Sequence, residues 1–294
     1  MKRLFLFAVP LLFLFFGCVT VEDVLYLRNI DVQGSPSQPP VHITPHDMKE
    51  GSAVVSPFLS VGSGTISTPL DHQYEGPIGD TLPDFKAKGL SWKVPRVNFG
   101  ANLDLAVSDG LALFGGISAS IGKGRQFTSL YGGFGIYSPG PEVSVRFDVG
   151  VQYIDVQYTS ATVILRSVNS SPVDTIYYLD RGKDFHLNLF GNLTINSPGK
   201  DQFLNWFLQV GISPQTLTTF VPTQSVSEDP GPFVVTDLRA ESSVFWLSAT
   251  PGVYFNLDQK RRLLFGVRVL KELQSESSSS NILFMPLLQL DWNL

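Results

Sequence analysis

The sequence predicts an all-β fold, an antiparallel up-and-down transmembrane β-barrel of about ten strands. The first observation is a hairpin, because apolar residues occupy every second position of residues 97–121, on both sides of Ser108-Asp109-Gly110. Period-two alternation around an Asp-Gly turn is the strongest short-range signal of a β-hairpin. The second observation is length. Each apolar face continues for about 11 residues, which is what a tilted strand needs to cross a bilayer.

Residues 1–17 are predicted to be an export signal. Lys2 and Arg3 form a short positive region, and residues 4–16 are almost entirely Leu, Phe, Val and Ala. This apolar run is shorter than the about 20 residues that a helical span needs. Gly17-Cys18, which follows, resembles the lipobox of bacterial lipoproteins. The resemblance implies cleavage before Cys18, lipidation of its thiol and transport to an outer membrane. The alternative is an incidental thiol in an ordinary signal peptide.

Residues 18–50 are predicted to form a lipidated periplasmic tether. Residues 35–45 contain four prolines with Ser, Gln and Thr, a composition typical of an extended linker rather than a core. Only Val24-Leu25-Tyr26-Leu27 indicates a short strand. His42 and His46 lie four residues apart, a spacing that could bind a metal on a helix, but the neighbouring prolines forbid that helix. Cys18 is the only cysteine, which excludes a disulfide within the chain.

Residues 51–294 are predicted to form the barrel, because alternating segments recur along them. The ten predicted strands are centred on residues 55–61, 97–107, 111–121, 130–136, 143–153, 185–195, 206–212, 245–255, 265–269 and 282–294. The connections after strands two, four, six and eight are brief, and the longer ones fall at residues 64–90, 158–183, 214–242 and 272–280. The short link at residues 122–125 is the exception. This alternation resembles bacterial outer-membrane barrels, which have tight periplasmic turns and longer external loops.

The last strand resembles the C-terminal assembly signal of that superfamily. Leu288, Leu290 and Trp292 alternate with polar residues, although Leu294 stands where the family usually has an aromatic residue. The resemblance implies an outer-membrane location, with membrane lipid and the barrel assembly machinery as partners. It also implies that both termini are periplasmic, where a lipid on Cys18 would enter the inner leaflet. We expect a monomer.

Composition is consistent with a membrane barrel and excludes nucleic acid as a partner. Aromatic residues make up 12% of the chain and charged residues 16%, against about 25% charged residues in typical soluble proteins. The formal net charge is −5, and it becomes more negative when Lys2 and Arg3 leave with the signal. No basic patch is present. The rival architecture is a soluble β-sandwich lipoprotein, whose strands are usually only about five or six residues long.

Four charged residues fall on the predicted inward faces of the strands, namely Asp104, Arg146, Asp148 and Arg268. The lumen of a barrel of about ten strands is narrow, and a charge buried there needs a partner. We interpret these residues as a lumen polar cluster, with ion pairs that fill the interior. The alternative is a conducting path for small solutes.

Asp184 and His186 lie two residues apart on one predicted strand and therefore share a face at the external rim. A carboxylate beside an imidazole can orient a general base, and the pair resembles half of the omptin-type protease site. Those enzymes also need paired acidic residues across the mouth, whereas the connection Gly122-Lys123-Gly124-Arg125 is basic here. A rim pair of this kind is more often a solvated polar contact.

The expected function is therefore non-enzymatic. No phosphate-binding loop, dinucleotide fingerprint, zinc helix or nucleophile elbow is found in the sequence. We expect no cofactor and no metal, and a structural or surface-binding role toward an unknown surface ligand. The alternatives are a small-solute channel and an omptin-like rim hydrolase that uses Asp184 and His186.

Overall fold

The computed structural model describes residues 21–36, 40–45, 48–62, 64–68, 89–122, 125–169, 171–199, 203–220, 240–273 and 282–294. The regular elements in these ranges are β-strands. No helix in them has the length and apolarity to cross a membrane. The predicted signal peptide, Cys18 and His46 lie outside the described residues.

The described part of the chain contains 13 strands. They are β1 (Val21–Gly34), β2 (Ala53–Val61), β3 (Gly64–Thr68), β4 (Gly89–Val94), β5 (Val97–Ser108), β6 (Leu111–Gly122), β7 (Arg125–Ser138), β8 (Ser144–Val168), β9 (Ser171–Asn196), β10 (Leu204–Phe220), β11 (Ala240–Asn256), β12 (Arg261–Glu272) and β13 (Ile282–Asn293). Strand β2 and strands β5 to β13 form a ring in chain order, and antiparallel pairing of β13 with β2 closes it. The predicted up-and-down barrel of ten antiparallel strands is confirmed.

The predicted hairpin is formed by β5 and β6. Val97 pairs with Ile121 at one end and Ala106 with Ala112 at the other. Gly110 in the connecting turn has a φ of 88°, a left-handed conformation that glycine adopts without steric cost. The Asp-Gly signal therefore marks the turn that sets the register of the first long hairpin.

The outer wall of the ring is apolar and its inner wall is polar. The residues that a two-sheet sandwich would bury are instead on the outside, since Phe99, Leu103, Phe147 and Leu189 are 39, 48, 50 and 60% exposed. Their inward-facing neighbours are buried and polar, among them Asn98, Asn102, Arg146 and Asn188. An apolar band around a closed barrel requires hydrocarbon rather than water outside it. The barrel therefore has the surface of a transmembrane protein.

Strands β8 and β9 continue well beyond the ring. β7 pairs with β8 only as far as Ile154, whereas β8 and β9 remain paired up to Val168 and Ser171. Residues 158–183, which the sequence predicts as a loop, are thus mainly a two-stranded projection. Beyond the lipid-facing wall, neither face of a strand has to be apolar, so the period-two signal is absent there.

The N-terminal strand covers the free edge of this projection. β1 pairs antiparallel with residues 156–168 of β8 and parallel with β4, which in turn pairs with β3. Strand β3 and the first two residues of β4 lie in the connection at residues 64–90, which the sequence also predicts as a loop. The barrel end with the long connections therefore carries an additional sheet.

The segment predicted as a tether differs most from expectation. β1 lies at the long-connection end, and the described residues between 35 and 45 are buried inside the ring. The chain emerges at the short-turn end, where the Gly51 N–H donates to the Ala106 carbonyl at 2.9 Å before β2 begins. Because prolines have no N–H group, a proline-rich extended chain leaves few donors to satisfy and suits a narrow lumen as well as solvent.

The two ends of the described chain consequently lie at opposite ends of the barrel. Val21 pairs with Val168 near the tip of the projection. Leu294 donates its N–H to the Ala53 carbonyl at 2.9 Å, beside the short turns. The expectation that both termini lie on the side of the short turns is wrong for the N-terminal strand, because the lumenal segment adds one further crossing to the ten strands of the ring.

Candidate functional site, the occupied lumen

The lumen is an enclosed site, and the chain's own residues 35–36 and 40–45 lie buried within it. Its wall is built from the inward positions of the ring strands, which alternate with the lipid-facing ones. Along the barrel axis, an apolar region closes the long-connection end. A band of amide and hydroxyl side chains follows, and a charged cluster lies toward the short turns.

An apolar core closes the mouth of the barrel. This mouth core consists of Val32, Trp92, Val94, Ile154, Val156, Val244, Trp246, Leu270, Leu283 and Met285. The rings of Trp92 and Trp246 lie 5.5 Å apart between centroids, and both side chains are fully buried. Trp92 Nε1 also donates to the Gly34 carbonyl at 3.1 Å. This contact fixes the end of β1 over the entrance, just before the chain enters the lumen.

Ser35 begins the lumenal segment and is held from three sides. Gln215 Nε2 donates to its carbonyl oxygen at 3.1 Å. The Ser35 hydroxyl donates to Asn98 Oδ1 at 3.3 Å and is hydrogen-bonded to the Ser120 hydroxyl. Since these partners lie on β5, β6 and β10, the wall surrounds the segment where it enters.

Farther down, wall amides hold the main chain of the segment. Gln209 Nε2 donates to the Pro40 carbonyl, and Gln289 Nε2 donates to the Val41 carbonyl at 2.9 Å. We call the wall amides that bind the main chain of the segment the amide track, which comprises Gln215, Gln209, Gln289 and Asn196. Side-chain amides that reach carbonyl oxygens recognise an extended backbone largely without regard to its side chains.

Asn196 supplies the last contact of the amide track, near the short turns. Its Nδ2 donates to the Thr44 carbonyl at 3.0 Å, and its Oδ1 accepts from the Thr44 N–H at 3.1 Å. One amide thus satisfies both main-chain groups of Thr44, as a neighbouring β-strand would. This residue pair marks the exit of the lumen.

Two apolar side chains of the segment pack into the wall between these contacts. Val41 and Ile43 are buried in a cluster with Phe207, Tyr254, Leu264 and Leu287, and Phe58 packs against it. His42 and Thr44 alternate with Val41 and Ile43, so this part of the segment shows the pattern of a strand whose two faces meet different walls.

The charged cluster lies opposite this apolar cluster and contains three of the predicted lumen residues. Arg146 donates to both oxygens of Asp104, at 2.5 and 2.9 Å, and its Nε donates to Asp148 Oδ1 at 2.7 Å. His42 Nδ1 lies 3.0 Å from Asp148 Oδ2, and the His42 ring packs against Phe114 with centroids 4.7 Å apart. These four polar side chains, from the two barrel strands β5 and β8 and from the lumenal segment, form what we call the charge cluster.

The structure separates Arg268 from the other three predicted charges. Arg268 is buried on β12, and its Nε donates to Thr250 Oγ1 at 3.4 Å. Together with Tyr131 and Gln289 it lines a narrow cavity beside the lumenal segment, with space for about one water molecule. The four predicted charges therefore do not form one cluster.

Of the predicted rim pair, the structure describes only the side chain of His186, which is buried. His186 lies opposite Ile154 of the mouth core, at the level where β7 stops pairing with β8, and its side chain is only 6% exposed. The backbone of Asp184 pairs with Val156, and the Asp184 side chain lies outside the described structure. Over the described residues, no group of three or more His, Cys, Asp or Glu side chains could hold a metal.

Sequence reasoning missed the residues that bind the lumenal segment. Gln209, Gln215, Gln289 and Asn196 occupy inward positions, which the alternation does identify, but their partners are up to 248 residues away in the chain. The one local signal was the alternation of Val41 and Ile43 with His42 and Thr44. The prolines on both sides obscured it.

No protein-family model and no curated protein matches the chain. Among solved structures, the outer-membrane protease OmpT from Escherichia coli is similar over 85% of this chain and 100% of its own, at 7% identity and a TM-score of 0.46. The N-terminal β-barrel domain of Pseudomonas aeruginosa OprF covers 84% and 100%, at 8% identity and a TM-score of 0.30. The translocator domain of the autotransporter NalP from Neisseria meningitidis covers 82% and 88%, at 8% identity and a TM-score of 0.36. At this level the likeness concerns the barrel fold alone.

Proposed function

We propose that this chain is an outer-membrane β-barrel sealed by its own N-terminal segment, which serves as a scaffold at the cell surface in a structural or binding role. The observation that carries the proposal is the position of residues 40–45, which are buried in the ring between the amide track and the charge cluster. A narrow lumen that holds residues 35–36 and 40–45 of the chain itself leaves no continuous path for a solute.

The apolar outer wall supports a membrane location. Trp206 and Trp292 lie on that wall at the short-turn end, where aromatic residues of membrane barrels meet the lipid interface. Together with the predicted export signal and the lipobox resemblance at Cys18, this outer wall supports our proposal that the protein is an outer-membrane lipoprotein. The barrel assembly machinery and membrane lipid are its expected partners, and it acts as a monomer.

A hydrolase at the rim is less well supported than a binding role. His186 is buried beside Ile154 of the mouth core, which covers the barrel entrance together with Trp92 and Trp246. A substrate would have to displace this apolar core to reach the imidazole. The external sheet that β1, β3 and β4 add to the projection instead offers a surface for a ligand or partner.

The sealed lumen is tested by recording currents from the purified full-length protein in planar lipid bilayers. We expect no discrete conductance steps. As a positive control, Val41→Asp/Ile43→Asp places two carboxylates in the apolar cluster of the lumen, which should expel the segment and leave the ring strands unchanged. This variant should conduct.

Val143→Asp is the matched control, because it makes the same chemical change at an exposed position in the turn between β7 and β8. It should behave like the unmodified protein. Stable, discrete steps from the unmodified protein would favour the small-solute channel and refute the sealed scaffold.

A further inference from the structure

We infer that the protein passes its own N-terminal strand through the lumen to the cell surface, so that β1 is external while the C-terminal end of β13 is periplasmic. This inference rests on the proposed outer-membrane location and adds the orientation of the chain in that membrane. The interior of the ring is then a binding track for an extended polypeptide, which residues 35–36 and 40–45 occupy.

The direction of the chain follows from its contacts in order. Ser35 meets Gln215 and Asn98 near the long connections, and Pro40 meets Gln209 farther down. Thr44 then meets Asn196 at the end of β9. The contacts therefore descend the wall without reversal.

The length of the segment agrees with a complete crossing. The stretch from Ser35 to Thr44 can reach about 30 Å at full extension, which is the thickness of the hydrocarbon core of a typical bilayer. The two ends of this span are anchored at the mouth core and beside the short turns. A single pass thus connects the two sides of the membrane.

The contacts also show that side chains of the barrel wall bind the lumenal segment along this path. Each amide of the track reaches a main-chain group, so four wall positions recognise the backbone of the segment. In addition, His42 enters the charge cluster through Asp148. Because buried polar groups without partners are costly, these wall residues favour an occupied lumen over an empty one.

The lengths of the connections indicate which end of the barrel faces the periplasm and which faces the exterior. Short turns of membrane barrels face the periplasm and long connections face the exterior. β1 pairs with the projection of β8 and β9, which belongs to the long-connection end.

The orientation is tested in cells with three full-length variants, each of which carries one epitope tag. The tag is inserted after Thr20 ahead of β1, after Pro141 in the short turn between β7 and β8, or after Glu228 in the long connection between β10 and β11. Antibody labelling is compared between intact and permeabilised cells. Migration of heated and unheated samples on gels verifies that each variant forms a folded barrel.

We expect the tags after Thr20 and Glu228 to be labelled in intact cells with no gain on permeabilisation. The tag after Pro141 should be labelled only in permeabilised cells. If the tag after Thr20 needs permeabilisation while the tag after Glu228 does not, the inference is overturned and the outer-membrane location stands. If the folded protein is recovered in the soluble fraction, the proposed location fails and the inference fails with it.

Discussion

Replacement of Arg146 by leucine should strongly destabilise the barrel. Arg146 donates two hydrogen bonds to Asp104 and one to Asp148, all within the buried charge cluster. Arg146→Leu leaves two buried carboxylates, of which only Asp148 retains a partner in the cluster, His42. Breaking a buried ion pair by removing one partner costs about 3–5 kcal/mol. Urea-induced unfolding in lipid vesicles, followed by tryptophan fluorescence, measures the loss.

Arg261→Leu is the matched control for this substitution. Arg261, the first residue of β12, also donates to an aspartate, Asp258, at 2.7 Å, but its side chain is 54% exposed. Its removal should leave the urea midpoint unchanged, because exposed ion pairs contribute little. A triple variant, Asp104→Asn/Arg146→Leu/Asp148→Asn, should recover much of the stability lost in Arg146→Leu, because no unpaired charge remains. A loss below about 1 kcal/mol for Arg146→Leu would show that the cluster is hydrated or rearranges, and would refute this reasoning.

Two further predictions test the packing around the charge cluster and the exposure of the four tryptophans to lipid. Gly135→Ala should lower stability by about 1–3 kcal/mol, because a Cβ there would meet Asp148 Oδ1 and lie 2.8 Å from Arg146 Nε. Gly191→Ala should have no effect on the urea midpoint, since the nearest atom to its Cβ is 3.9 Å away, and equal losses in both variants would argue against a crowded cluster. In vesicles of brominated lipid, variants that retain only Trp206 or only Trp292 should be strongly quenched, whereas those with only Trp92 or only Trp246 should not. Equal quenching of all four would contradict the separation of outer wall from mouth core.

The ring strands were predictable because lipid imposes one rule on every membrane-crossing strand. Each must present an apolar side chain outward at alternate positions, and Leu103, Leu113 and Phe147 follow that rule. The rule does not apply to strand residues that lie outside the membrane. Residues 163–165, Val-Ile-Leu, are contiguous apolar residues in the part of β8 that projects beyond the ring, so alternation could not identify them as strand.

The lumenal segment could not be predicted for a different reason. Proline-rich composition specifies an extended backbone with few donors, but it does not specify what surrounds that backbone. For Val41 and Thr44, the surroundings are set by Gln289 and Asn196, which lie 248 and 152 residues away. The inward charges Asp104, Arg146 and Asp148 were identified from alternation, whereas the contribution of His42 to their cluster required the three-dimensional path of the segment.

The position of the segment in the chain constrains how the molecule is made. Residues 35–48 are synthesised before every strand of the ring, and the seam of the ring joins the first of those strands, β2, to the last, β13. This chain order allows the wall to form around a segment that is already in place, with the pairing of β13 and β2 as the last contact of the ring. In this order of assembly, the N-terminal segment does not have to pass through a closed barrel. A bulky domain fused ahead of β1 would then not have to fit through the lumen.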